Sequence, residues 1–344
     1  MIYILLATYN GARFLPRLLD SVRAQSAVEW RLLVRDDDSS DETPRIVERA
    51  AAADSRILIL RDGRLRQGAA RNFGILMEAG LARGADYLCF ADQDDVWLPN
   101  KLQLQLQAIQ EMEARLGGEH PCLAHTDLRV VDERLRVLRD SFVRSMAIDV
   151  RDEGLLPRLL LYNRATGCAT MINRSLAWIA APIPEEAVLH DWWLALVAAS
   201  CGGIRFLDVP TVLYRQHREN QVGALSTWRK LNPLGGGWRN RIAATTDALP
   251  RAIRQAAALG ARLRRIDGDA ARASLAVVER FCATFESRTS CWRRFRELRR
   301  LGTARVGLAR QSLLMARLLL HQHRERLSDA SNPAWQCQHR QRAA

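Results

Sequence analysis

The sequence predicts an α/β fold, a mixed and mostly parallel sheet flanked by helices, extended at its C-terminus by a basic helical region. Three observations carry this reading. Apolar strand-like runs alternate with helix-patterned segments over residues 2–91, three of the four runs end in polar clusters, and positive charge gathers after residue 225.

Ile2–Ala7 is an apolar strand closed by the turn signal Thr8-Tyr9-Asn10-Gly11. Phe14, Leu15, Leu18, Leu19 and Val22 then fall on one helical face. Leu32–Val34 is a second strand that runs into Asp36–Asp41, and Thr43 and Pro44 suit the N-cap and first turn of a helix over Arg45–Ala53. Ile57–Leu60, Ala69–Ala82 and Tyr87–Ala91 read as strand, helix and strand. Beyond a helix over Lys101–Arg115 the pattern changes, with strands expected at Pro121–Val131, Gly167–Ile172, Arg205–Val209 and Val212–Tyr214. Helices are expected at Leu155–Tyr162 and His190–Ala198. In parallel sheets ligands bind outside the carboxyl ends of the strands, so Thr8–Gly11, Asp36–Asp41 and Asp92–Asp95 should meet at one crevice. Neither GxGxxG nor GxxxxGK[ST] occurs, which excludes a dinucleotide fingerprint and a P-loop.

The 344 residues, 48% of them hydrophobic, leave room for one large domain and a second piece. Net charge is +13, yet residues 226–344 carry 24 Lys and Arg against 8 Asp and Glu, so the first part is slightly acidic. The breaker-rich stretch 232–237 marks the junction, giving a domain over 1–225, a linker over 226–240 and a basic helical region over 241–344. Seven scattered cysteines without a CxxC pair argue against a disulfide frame or zinc site and fit a reducing cytosol. With no apolar run of about 18 residues and a strand at the start, a cytoplasmic protein is expected, neither secreted nor membrane-spanning.

The run Tyr87–Trp97 delivers Asp92, Asp94 and Asp95 at a strand end. Carboxylates so placed suit a divalent cation carrying a phosphate ligand, or else a polar turn closed by local hydrogen bonds. Asp95, pointing to the other side of an extended chain, is expected to cap the Trp97-Leu98-Pro99 turn.

Six motifs in order resemble family-2 glycosyltransferases of GT-A fold, above all the rhamnosyltransferase-like enzymes of bacterial polysaccharide assembly. They are Ala7–Gly11, Arg35–Asp41, Ala70–Phe73, Asp92–Trp97, His190–Trp193 and Tyr214–His217, spanning roughly the first 225 residues. Asp38 departs from the pattern, since the family usually has Gly there, which puts turn geometry and local charge in question. The resemblance implies a nucleotide-sugar donor, dTDP- or UDP-linked, with Thr8, Tyr9, Asn10 and Asp37 around base and ribose and Arg71 near base or diphosphate. Asp92 would lie toward the ribose, Gln93 would join the nucleotide-sugar contacts, and Asp94, with His217, would hold Mn or Mg. Asp191 resembles the catalytic base, and its place at a helix start favours the ionised form. Trp192 and Trp193 either line the sugar or acceptor pocket or fill core, with at most one facing the site. His217 is either a ligand or a structural hydrogen-bonder.

The implied reaction is an inverting, metal-dependent hexosyl transfer, one sugar per encounter because the QxxRW motif is missing, to a glycan or lipid-linked acceptor. The competing readings are a degenerate domain acting as a membrane scaffold and a sugar nucleotidyltransferase. The Arg-rich tail, with apolar residues interleaved, suits either the inner face of an anionic membrane or a helical bundle packed on the first domain. No nucleic-acid motif supports a third reading.

Overall fold

Strands buried on both faces need unbroken apolar runs, and the first four strands have them. The computed structural model describes residues 1–26, 29–150, 154–217, 238–286, 289–303 and 308–330, without the side chains of 238–247, 308–310, 313 and 324–330. The strands β1 (Ile2–Thr8), β2 (Trp30–Asp36), β3 (Ile57–Ile59) and β4 (Tyr87–Asp92) alternate with helices α1 (Leu15–Arg23), α2 (Thr43–Ala53) and α3 (Ala69–Ala82). β1 is central, parallel to β2 on one side and to β4 on the other, and β3 lies parallel to β2. Alternation along β1 divides the core: Ile4 and Leu6 pack with Leu15, Leu18 and Val34, whereas Tyr3 and Leu5 pack with Phe73, Leu76 and Met77. Thr43 is the first residue of α2 and not its N-cap, because its hydroxyl is engaged elsewhere.

The second half adds β5 (Val96–Trp97), α4 (Lys101–Leu116), β6 (Cys122–Val131), β7 (Val137–Arg139), α5 (Phe142–Ser145), α6 (Leu155–Leu159), β8 (Thr170–Asn173), α7 (Arg174–Ala180), α8 (His190–Cys201) and β9 (Gly203–Arg215). The sheet order is β3-β2-β1-β4-β8-β6-β9-β5, with β7 beside β6. β8 runs antiparallel to both β4 and β6, β9 is parallel to β6 and antiparallel to β5, so the sheet is mixed. The two strands expected at 205–214 are one, β9, which crosses Pro210 by register shifts opposite Asp127; a residue without N–H is carried there by an irregular ladder. Residues Gly167–Ala169, expected as strand, form a 3-10 turn whose first N–H turns to a side chain.

Four helices follow: α9 (Trp238–Leu263), α10 (Asp269–Glu286), α11 (Cys291–Arg300) and α12 (Leu308–Ala330). They are seated on α7 and α8. Leu249, Ala252, Ala256 and Leu259 join Trp193 and Leu196 in one core. The Arg262 guanidinium donates to the carbonyls of Ile179, Ala181 and Pro182, and Val188 N donates to Gln255 Oε1 at 2.8 Å. Residues 226–237 of the expected linker and the Arg218–Gln221 segment fall outside the described residues, and 238–240 already begin α9. Among the described residues no helix is long and apolar enough to cross a membrane.

Candidate active site

The carboxyl ends of β1, β2 and β4 meet as the topology requires. Thr8 lies opposite Asp36 and Ala7 opposite Asp92 in the ladders, and Thr8 Oγ1 donates to Asp36 Oδ1 at 2.8 Å. Gln93 clasps the backbone of Tyr9, accepting from its N–H at 2.9 Å and donating to its carbonyl at 2.8 Å. Gly11 makes this possible, since a Cβ there would sit 2.2 Å from Gln93 Oε1. Asn10 receives its place from Ser39 and Ser40, with Asn10 N donating to Ser39 Oγ and Ser40 N to Asn10 Oδ1. Gly11 N donates to Thr43 Oγ1 and Ala12 N to Asp41 Oδ2, so the turn after β1 is fastened to the Asp36–Thr43 segment.

Asp37 is a hub. Its carboxylate accepts from Arg35 Nη1 at 3.0 Å and from the N–H groups of Gln67 and Gly68, each at 2.8 Å, and the residue is 5% exposed. A carboxylate offers about four acceptor positions, so one is left. Arg35, almost wholly buried, also pairs with Asp62 at 3.0 Å and thereby pins the 61–68 loop. Arg71, in the first turn of α3, is exposed and lies 3.7 Å from Glu185.

The acids after β4 divide their labour. Asp94 Oδ2 is 2.8 Å from His217 Nε2, and the His217 ring packs on Phe14 at 4.9 Å. Asp95 faces inward with no exposure; its Oδ1 accepts from Arg215 N at 3.0 Å, tying this loop to β9, so it does not cap the Trp97 turn. Asp95 Oδ2 lies buried beside the Cys168 thiol with no amide or hydroxyl donor on it among the described residues. One ligand atom each from Asp92, Asp95 and Cys168 lies within 4.8 Å of the others. Burial, then Asp94 and Asp191, push the Asp92 carboxyl up to about 7.

Asp191 stands across the Gly167–Cys168 turn from this cluster. Its Oδ2 accepts from Gly167 N at 2.8 Å, while Oδ1 accepts from Trp192 N at 2.6 Å and Asn163 Nδ2 at 3.0 Å. Burial raises its carboxyl to about 6, against the pull of those three donors. His190 stacks on Phe73 at 4.1 Å and is driven down to about 3 by burial, so it is neutral. Gly167 must lack a side chain, for a Cβ would lie 2.8 Å from His190 Nε2. Trp193 has no exposure and its indole donates to Ala180 O at 3.0 Å, which makes it core and not a sugar platform. Trp192 is 8% exposed, with its indole donating to Leu159 O.

The structure therefore brings Thr8, Tyr9, Asn10, Asp37, Asp92, Gln93, Asp94, His217 and Asp191 to one edge of the sheet, and leaves Arg71 on its rim and Trp193 beneath it. Sequence reasoning missed Asn163, Gly167 and Cys168, which carry no motif, and read Arg35 only as part of one, without its role of holding Asp37 and Asp62. A carboxylate-rich set with one imidazole suits Mn or Mg. The raised Asp92 shows why the residues fit a cation: the acids are buried close together without enough positive charge to balance them.

Comparisons with known proteins bear on the family and the fold. The sequence model of Glycosyl transferase family 2 matches residues 3–118. A dTDP-rhamnosyl transferase, RfbG of Shigella flexneri, is 29% identical over 240 residues, 67% of this chain and 78% of that protein. The UDP-Glc:alpha-D-GlcNAc-diphosphoundecaprenol beta-1,3-glucosyltransferase WfgD of Escherichia coli is 34% identical over 108 residues, 31% of this chain and 40% of that protein. Among solved structures, S. aureus TarS 1-349 in complex with UDP superposes with a TM-score of 0.50 at 15% identity, covering 83% of this chain and 91% of that chain, a likeness of fold.

Proposed function

We propose that this chain, whose residues 3–118 match the sequence model of Glycosyl transferase family 2, moves one sugar, with inversion, from a dTDP- or UDP-linked donor to a growing or lipid-linked glycan in bacterial surface-polysaccharide synthesis. The observation that carries the reading is the pairing of Asp191, held by three donors, with the acids after β4, of which Asp92 feels the charge of both Asp94 and Asp191. One carboxylate is positioned to take a proton while the others face a phosphate-bearing ligand.

In the proposed reaction the turn after β1 and the 61–68 loop frame the nucleotide, with Thr8, Tyr9, Asn10 and Asp37 at base and ribose and Asp92 and Gln93 beside them. Arg71, exposed on the rim beside Glu185, is the candidate contact for the diphosphate. Asp191 accepts the proton of the acceptor hydroxyl as its oxygen attacks the anomeric carbon, and the nucleoside diphosphate departs with the bonding electrons. Asp94 and His217 would hold a divalent cation, Mn or Mg, which when bound supplies Lewis-acid stabilisation of the charge on the leaving diphosphate. Trp192 borders Asp191 and is the aromatic candidate for acceptor contact. Rhamnose is the favoured sugar through the first relative named above, while the second relative's name specifies glucose.

The solvent face of α11 supports a role for an anionic membrane. Trp292 is 66% exposed beside exposed Arg293, Arg296 and Arg299, the pattern of an interfacial helix. That arrangement would keep the enzyme at the cytoplasmic face of a membrane bearing its acceptor.

Calorimetric titration of UDP, dTDP, GDP and ADP with and without Mn²⁺, on wild type and Asp94→Ala, tests the donor site. Metal-dependent binding of a pyrimidine diphosphate that weakens in the variant is the expected result. Absence of binding to a folded sample overturns the reading.

A further inference from the structure

A lysine with no exposure needs a reason, because an ammonium taken out of water is costly unless an acid meets it. Lys101 opens α4 and is wholly buried, and among the described residues no carboxylate lies within ion-pair distance of it. Its Nζ donates instead to Gln105 Oε1 at 2.6 Å and to Cys89 Sγ at 3.5 Å, and stands 4.6 Å from the centre of the Trp97 ring. Neutral partners stabilise an ammonium less than a carboxylate does. If Lys101 served folding alone, a glutamate in place of Gln105 would suit it better, and a methionine in its own place would fill the space without a charge.

The other end of Gln105 explains the choice. The two residues are four apart, on one face of α4. Gln105, also without exposure, donates Nε2 to the carbonyl of Ala169 at 2.7 Å. A glutamate could not make that bond, since an ionised carboxylate only accepts. Lys101, which only donates, decides which end of the amide faces the carbonyl: Oε1 is drawn to the ammonium and Nε2 is left for Ala169. Ala169 ends the Gly167–Ala169 turn, and that turn touches both halves of the site. Gly167 N donates to Asp191 Oδ2 at 2.8 Å, and the Cys168 sulfur lies within 4.8 Å of carboxylate oxygens of Asp92 and Asp95. The Lys101 charge reaches the same place: burial raises the Cys168 thiol, Asp95 and Asp92 add to that, and Lys101 opposes them.

We propose that Lys101 and Gln105 are positioning residues for Asp191: the ammonium sets the Gln105 amide, the amide holds the Ala169 carbonyl, and the turn so held presents Gly167 N–H to the carboxylate. On the nucleotide-sugar reading, on which this inference rests, Asp191 takes the acceptor's proton, and α4 is then what keeps that carboxylate in place from behind the turn. Both residues act through others. A buried charge that folding does not need is retained because it fixes the orientation of an amide, and the amide fixes a turn shared by the proposed base and the acids after β4.

The test is amide hydrogen exchange followed by NMR on the full chain in EDTA, at a pH of about 7 where a carboxylate beside Lys101 is ionised, for wild type, Gln105→Glu, Gln105→Met and Lys101→Met. Thermal melting and calorimetric titration of UDP with Mn²⁺ accompany it. In Gln105→Glu the Gly167 amide should exchange about tenfold faster than in wild type, while the Leu5 and Leu33 amides of the sheet keep their protection. This variant pairs with the ammonium and should melt no lower than wild type, so loosening of the turn and loss of fold separate in it. Gln105→Met and Lys101→Met should free the same amide, the second by letting the Gln105 amide rotate. UDP affinity should stay near wild type in all three, since Asp37 and the turn after β1 are untouched. Gly167 protection equal to wild type in the folded variants overturns the inference and leaves the donor site standing. Equal loss of protection at Gly167 and in the sheet overturns it too, for then these residues supply only packing. If folded wild type binds no UDP, the nucleotide-sugar reading fails and the inference with it.

Discussion

Replacing Asp191 by Asn separates the two consequences of burying a carboxylate where a base is needed. Burial lifts the group to about 6 in the folded protein, whereas in an unfolded chain it titrates near its ordinary value of about 4. As pH falls through 6 the folded state takes up a proton that the unfolded state still lacks, so this group adds stability as pH falls and removes it as pH rises. Integrated from pH 7.5 to pH 5, the contribution is about 1 kcal/mol in favour of the acid side. His190 and His125, buried and driven down to about 3 and about 4, act in the opposite sense, because only the unfolded chain protonates them in that window. In that window the two histidines together outweigh Asp191, and the raised Asp92 acts in the same sense as Asp191, so the difference between wild type and Asp191→Asn is what reads Asp191 together with its coupling to Asp92. Urea unfolding of both proteins in EDTA at pH 7.5 and pH 5 reads it. The variant's advantage over wild type should shrink by about 1 kcal/mol at the lower pH. A difference that stays constant, or moves the other way, refutes the argument.

The rate should respond differently. As the proposed base, Asp191 would work only when ionised, so wild-type kcat/KM should fall about tenfold per unit below pH 6. Asp191→Asn should lower kcat by about 10²–10⁴-fold while UDP binds as before. A variant with wild-type kcat would remove Asp191 from the chemistry.

Three further substitutions probe the supports. Gly11→Ala forces Gln93 off the Tyr9 backbone, breaking two hydrogen bonds, and should cost about 1–2 kcal/mol in thermal or urea unfolding and weaken nucleotide binding. Trp193→Ala empties a fully buried site shared with the C-terminal helices and should cost about 3–5 kcal/mol in urea unfolding, with nucleotide affinity unchanged in the folded fraction. Joint replacement of Trp292, Arg293, Arg296 and Arg299 by Ala should leave the melting temperature near wild type and abolish cosedimentation with anionic, but not neutral, vesicles; equal loss from both vesicle types would contradict a charge-based contact.

What the sequence revealed depended on whether a signal was local. The β-α-β order of residues 2–92 and the meeting of three polar strand ends were readable because each rests on a run of adjacent residues and a rule of sheet topology. β5, of two residues, and β7, of three exposed ones, are too short to show a period. Pro210 read as a break, yet β9 passes through it because β6 shifts register to match. The Gly167–Ala169 turn was hidden for a different reason. Its apolar residues match a strand, and what bends it is a bond from Gly167 N to a carboxylate 24 positions away. Asn163 escaped notice likewise, and the role of Arg35 inside its motif with it, since their value lies in the side chains they orient.

The basic tail shows how one periodicity buries one face and leaves a cationic one outside. In α11, Cys291, Arg294, Phe295 and Leu298 are buried, and Trp292, Arg293, Arg296, Arg299 and Arg300 face outward. The inward set supplies the bundle and the outward set a cationic face, so packing on the first domain and docking on an anionic surface do not compete for residues. The two faces also connect to the site. A Cβ placed on Gly302, just beyond α11, would lie 4.0 Å from Pro157 of α6, and the Arg317 guanidinium of α12 lies 5.7 Å from the centre of the Tyr162 ring. Tyr162 adjoins Asn163, whose amide orients Asp191. A surface that fixed α11 and α12 would thereby fix the wall behind the proposed base, which is the physical route by which a membrane-bound acceptor and its proton acceptor could be held in register.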